Sequence, residues 1–116
     1  MDYRVKEVIR HIEDGFDVEI TLEQLAQSVN ISPSRLRHLF KSEVGVTPMQ
    51  LLKEVRLRKA KELAEESFMN VKQIMVIVGL RDESHFMRDF KKTFGLTPTQ
   101  CRHLSNQAKL KKAQRA

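Results

Sequence analysis

A single cysteine, Cys101, excludes an internal disulfide and makes a reducing, cytoplasmic compartment the simpler home. The four histidines, His11, His38, His85 and His103, include no pair at the short spacing of a zinc site, so neither a metal nor a cofactor is expected. No run of 18 apolar residues is present, which excludes a membrane-spanning helix. The N-terminal stretch MDYRVKEVIRHIEDG alternates charged and apolar residues and lacks the apolar centre of a secretory signal. No nucleophile–base pair or phosphate-cradling glycine loop is visible, and 116 residues leave room for one domain or two very small units. An enzyme is therefore not expected. Only three prolines and four glycines interrupt a chain that is 41% hydrophobic and 31% charged, the balance of a folded, soluble, helical protein.

The net charge of +6 looks like a nucleic-acid signature until it is divided along the chain. Residues 101–116 hold Arg102, Lys109, Lys111, Lys112 and Arg115 with no acid, which accounts for +5. Residues 1–31 carry three bases and seven acids, residues 32–66 eight and five, and residues 67–100 five and three. Bulk charge decides little; its placement decides more.

The informative feature is a repeat. SPSRLRHLFKSEVGVTPMQ at 32–50 returns as DESHFMRDFKKTFGLTPTQ at 82–100. Each copy ends in glycine, an apolar residue, Thr-Pro, and glutamine three residues after the threonine. Glycine closes a helix in the left-handed conformation, threonine caps the next, proline fits its first turn and glutamine completes a capping box. The same capping grammar precedes each copy, at Thr21 with Gln24 and at Asn70 with Gln73. These signals predict an all-α fold of about seven helices near 2–14, 21–28, 33–43, 48–66, 71–77, 83–93 and 98–108. Four residues separate the second helix from the third and five the fifth from the sixth, so each pair is a helix–turn–helix. Gly79 stands where the second chain reversal falls.

A helix held this way has an outer face free to enter a DNA major groove. In the first copy Ile31, Leu36, Leu39, Phe40 and Val44 form the inward stripe, leaving Ser34, Arg35, Arg37, His38 and Lys41 outside. In the second, Leu80, Phe86, Phe90 and Phe94 turn inward, leaving Ser84, His85, Met87, Arg88, Lys91 and Lys92. The helix of 48–66 connects the copies, its apolar positions being Leu52, Val55, Ala60, Leu63 and Ala64. Its 19 residues extend roughly 28 Å, against about 34 Å between successive major-groove faces.

With these residues in view, the sequence resembles the AraC/XylS family of bacterial transcription regulators, specifically its DNA-binding domain, from Leu22 to about Leu104. The resemblance rests on Leu25-Ala26, Ser32-Pro33-Ser34-Arg35-Leu36, Phe40-Lys41, Gly45, Thr47-Pro48, Arg56-Leu57, Ala60 and Leu63. The more diagnostic half is Ile74, Val78-Gly79-Leu80, Ser84-His85-Phe86, Phe90-Lys91-Lys92, Phe94-Gly95, Thr97-Pro98 and Arg102. It implies two helix–turn–helix subdomains bridged by a long helix, binding of specific double-stranded DNA, and transcription activation through RNA polymerase. By position, the base-reading sites fall on Ser34, Arg37 and His38, and on Ser84, His85 and Arg88. Many members add an N-terminal ligand-sensing or dimerising domain that these residues do not include, so no small-molecule ligand is expected for this segment. Three positions depart from the family pattern: Met75, where alanine is usual, Leu80, where phenylalanine is usual, and Asp89.

The expected organisation is a DNA-binding domain over 1–108, with helix–turn–helix units at about 21–43 and 71–93, and a basic tail over 109–116. The tail is either a solvated helix end or a sequence-blind phosphate clamp. Lys41, Lys91, Lys92 and the capped helix starts at 48 and 98 suit phosphates better than bases. Residues 32–43 carry a net +2 and residues 82–93 a net zero, so the first unit is expected to supply more affinity and the second more discrimination. The alternative function is a protein-interaction module that keeps the fold and docks through the acidic residues 1–31.

Overall fold

The computed structural model describes residues 1–115, with side chains through Gln114. They form seven α-helices and no strand: α1 (Tyr3–Gly15), α2 (Leu22–Ser28), α3 (Pro33–Val44), α4 (Pro48–Glu66), α5 (Val71–Val78), α6 (Glu83–Phe94) and α7 (Pro98–Arg115). The chain divides into two compact units, Met1–Arg56 and Leu57–Ala116, and the division falls within α4.

All four capping boxes read from the sequence are formed. Gln24, Gln50, Gln73 and Gln100 each donate their backbone N–H to the side chain of Thr21, Thr47, Asn70 or Thr97 at 2.9–3.2 Å. Their own side-chain oxygens accept from the four cap N–H groups at 2.8–3.0 Å. Each box satisfies two donors that the first helical turn leaves without an intrahelical partner. Gly45 and Gly95 stop α3 and α6 in the left-handed conformation, at φ 92° and 77°.

In the first unit, Val5, Val8 and Ile12 of α1 pack with Leu25, Ala26, Leu36, Phe40, Leu52 and Val55 in one buried cluster. The buried residues of the second unit are Leu57, Ala60 and Ala64 of α4, Ile74, Met75 and Val78 of α5, Phe86 and Phe90 of α6, and Cys101 of α7. Phe86, Phe90 and Phe94 form a chain of edge-to-face contacts, with centroids 5.7 and 4.7 Å apart.

The duplication reaches further than the quoted repeat. Val5, Val8 and Ile12 recur in spacing as Leu57, Ala60 and Ala64, so the second half of α4 does for the second unit what α1 does for the first. Side-chain volume is exchanged between helices. The second unit has alanines where the first has Val8 and Ile12, and carries Met75, Phe86 and Phe94 where the first has Ala26, Leu36 and Val44. Cores accept such swaps when total volume is kept, which accounts for the buried Met75, while Leu80 is half-buried.

Two arginines close these units from within. Arg56 donates to the Phe16 and Val18 carbonyls at 2.8 and 2.9 Å, holding the segment that leaves α1; burial lowers its pKa. Arg102 does the same after α4, donating to the Ala64 carbonyl at 3.0 Å and to the Met69 carbonyl. Guanidinium carries donors enough to serve two carbonyls at once.

The expected end of the last helix near residue 108 is corrected, because α7 continues to Arg115 and takes most of the tail with it. Residues 105–115 contain no glycine or proline and are rich in strong helix formers. Lys109 anchors the extension by donating to the Glu65 carbonyl at 2.8 Å, with Glu66 at 3.9 Å. The last tail residue, Ala116, and the Arg115 side chain lie outside the described residues.

Candidate nucleic-acid interface

Each reading helix is set by the turn before it. In the first unit the chain reverses at Asn30, the one non-glycine residue at positive φ among those described, 58°. In the second it reverses at the equivalent Gly79, φ 78°. Both turns close by the same bond across the helix end: Ile31 N–H to the Ala26 carbonyl at 3.2 Å, and Leu80 N–H to the Met75 carbonyl at 2.9 Å. Asn30 was not legible as a reversal point, although asparagine is the residue after glycine that most readily takes this conformation.

The helices then start differently. α3 begins with Ser32, whose hydroxyl accepts from the Arg35 N–H at 3.1 Å, and Pro33 follows in its first turn. α6 begins with Asp82, whose carboxylate accepts from the His85 N–H at 3.0 Å. The second carboxylate oxygen lies 2.7 Å from His85 Nδ1. The His85 N–H, then its ring, hold the Asp82 carboxyl below the usual carboxylate range. One cap is neutral and serves only the backbone; the other is anionic and grips a candidate reading side chain.

On α3, Ser34, Arg35, Arg37, His38 and Lys41 are all exposed, as their spacing against buried Leu36 and Phe40 predicts. The Arg35, Arg37 and Lys41 side chains form no hydrogen bond or ion pair among the described residues. On α6, Ser84, His85, Arg88, Lys91 and Lys92 are exposed. Met87 is half-buried, which corrects its placement among the outward residues: it lies at the flank, one position beyond buried Phe86. Asp89 is also half-buried, at the position of half-buried Leu39 in α3, so that acid sits at the edge of the face rather than at its centre.

The remaining candidates serve the structure. Cys101 is buried and its thiol pKa is pushed up by desolvation, the state of an inert small hydrophobe rather than a reactive thiol. No group of three or more histidine, cysteine or acidic side chains is placed to hold a metal ion among the described residues, and no helix among them is long and apolar enough to cross a membrane. Asp82 enters the sequence reading only as charge, and the structure adds its contact with the His85 ring. An acid at a helix cap three residues before a histidine was the signal available.

Two helix–turn–helix units, each presenting a helix with unpaired basic side chains outward, define the DNA-binding part of a transcription regulator. The helix-turn-helix domain family matches residues 25–103, and the chain belongs to the AraC/XylS family as its DNA-binding domain. It is 35% identical over 103 residues to the arabinose operon regulatory protein of Escherichia coli (strain K12), covering 88% of this chain and 35% of that protein. It is 33% identical over 101 residues to the HTH-type transcriptional activator RhaS of Klebsiella pneumoniae (strain 342), covering 87% and 36%. The chain thus spans about a third of the length of these relatives. Among solved structures, the C-terminal domain of AraT, a response regulator from Geobacillus stearothermophilus, superposes with a TM-score of 0.83 at 31% identity, covering 89% of this chain and 86% of that one.

Proposed function

We propose that this domain reads two adjacent major-groove segments of one duplex, α3 in one and α6 in the other, and activates transcription from the bound site by contacting RNA polymerase. The observation that carries the reading is the matched outer pair on each helix. Arg35 and His38 on α3 recur in exchanged order as His85 and Arg88 on α6, and all four are exposed on helices that bury Phe40 and Phe90. Arg37 and Arg88 suit guanine, whose O6 and N7 accept a guanidinium in bidentate fashion. Ser34 and Ser84 lie on the same faces, within the first turn of each helix. Lys41, Lys91 and Lys92, in the last turns, bind phosphate and position the helices without reading sequence.

Two units of the same frame, each with its own exposed helix, support a bipartite site. The activating role is supported by the similarity to RhaS, a transcriptional activator, and is proposed to be exercised on the bacterial chromosome in the cytoplasm.

Docking through the acidic residues 1–31 is the weaker reading. Asp2 pairs with Arg4 at 2.9 Å and Glu7 with Arg10 at 2.7 Å, so part of that charge is neutralised locally. Selection of bound sequences from random duplexes tests the proposal. Two preferred blocks about one helical turn, 10 base pairs, apart are expected. A single short block would reduce α6 to a backbone anchor, and no binding to any duplex at low salt would overturn the reading.

A further inference from the structure

The Asp82–His85 contact has a chemical consequence for recognition that rests on the reading of His85 as a base contact. A carboxylate can only accept hydrogen bonds, so the ring nitrogen facing it at 2.7 Å must carry the proton. Neutral imidazole has one N–H; once Nδ1 holds it, Nε2 is left with a lone pair. The ring is well exposed, at 65% of its side-chain surface, so Nε2 is available to a groove. The same carboxylate is itself fixed, because its other oxygen accepts the His85 backbone N–H at 3.0 Å. Cap, ring and helix start form one closed loop over four residues.

We infer that Asp82 is a positioning residue that locks His85 in the Nδ1–H tautomer and so makes it an acceptor at Nε2, selecting a base that offers an amino group in the major groove. Adenine N6 and cytosine N4 are such donors, whereas guanine O6 and thymine O4 are acceptors that this nitrogen repels. Arg88, one turn along the same exposed face, is donor-only and prefers the opposite chemistry. α6 would then read an amino-bearing base beside a guanine. The first unit lacks the device: its cap is the Ser32 hydroxyl, engaged with the Arg35 N–H alone. The inference also gives the acid a purpose at a DNA-facing position, where its charge alone would weaken phosphate binding.

The test combines a direct view of the ring with a binding-site comparison. In the free protein, ring 15N shifts of His85 in its neutral form should report Nδ1–H. In Asp82→Ser, which keeps a capping hydroxyl of the kind α3 uses, they should move toward Nε2–H. On duplexes that vary one base at a time within the selected site, the native protein should prefer adenine or cytosine over guanine or thymine at one position by about five-fold, the worth of one hydrogen bond. Asp82→Ser should lose that preference while binding unrelated duplexes as well as before or better. His85→Ala should lose it too, and the double variant should lose no more. An Nε2–H ring in the native protein, or a preference that survives Asp82→Ser while His85→Ala abolishes it, overturns the tautomer lock and leaves the reading of His85 standing. A preference profile untouched by His85→Ala at every position overturns both.

Discussion

The two units carry the same frame and put it to unequal use. Both reverse on a left-handed residue, both restart on a Thr-Pro pair with a glutamine box, and both bury a phenylalanine at the centre of the reading helix. α3 lies in a segment of net charge +2 with a neutral cap, whereas α6 lies in one of net charge zero with an anionic cap bound to a candidate reading side chain. What is held constant is local geometry, which short-range bonds set; what varies is charge on the exposed side, which the frame does not constrain. On the proposed reading, duplication lets one helix specialise in attraction and the other in selection without a second fold.

The largest test of the shared frame is its centre. Phe40 and Phe90 are both fully buried, and truncating either to alanine should cost about 3–5 kcal/mol in urea unfolding. A cost below about 1 kcal/mol for Phe90 would show that the aromatic chain in the second unit is not a packed core.

Next comes the difference in use. Arg37→Ala should weaken specific binding by about 1–3 kcal/mol, measured by titration against the selected duplex. Arg88→Ala should relax base preference while changing affinity for unrelated duplexes less than Arg37→Ala does. Equal losses across all duplexes would break the division of labour.

A smaller effect separates the two turns. Gly79→Ala places a Cβ at positive φ and should cost about 1 kcal/mol in thermal or urea unfolding. Asn30→Gly, at the equivalent position, should be neutral to within about 0.5 kcal/mol. A large loss at Asn30 would mean that its side chain contributes more than conformation.

The least visible change is at the C-terminus. Lys109 is tied to α4, whereas Lys111 and Lys112 are exposed. Removing residues 111–116 should flatten the salt dependence of binding without changing site preference, since phosphate contacts release counterions but read no base. An unchanged salt slope would assign those lysines to solvent.

Much of this was legible because its causes are local. A capping box spans four residues and a glycine stop one, so Thr47 with Gln50 and Gly45 announce themselves before any tertiary contact is known. The outward placement of Arg37, His38, His85 and Arg88 followed from helical period alone. Met87 shows where period falls short, since a residue at the edge of the stripe is covered or exposed according to neighbours that the period does not name. The reach of α7 is only partly local: residues 105–115 lack a helix breaker, while the Glu65 carbonyl that steadies Lys109 stands 44 residues away.

By itself the sequence determined the all-α class, the four boxed helix starts, the reversal at Gly79 and most of the faces that look outward, because hydrogen bonds within a few residues and the 3.6-residue period specify them. Only the tertiary structure decided that α1 and the second half of α4 are counterparts, that Arg56 and Arg102 clamp carbonyls 33–40 residues distant, and that small residues on one helix are balanced by large ones on another. These depend on which surfaces meet and on how much volume lies between them. Asp82 belongs to both accounts: its place as a cap was written in the sequence, and its grip on His85 became visible only when the side chains were in place.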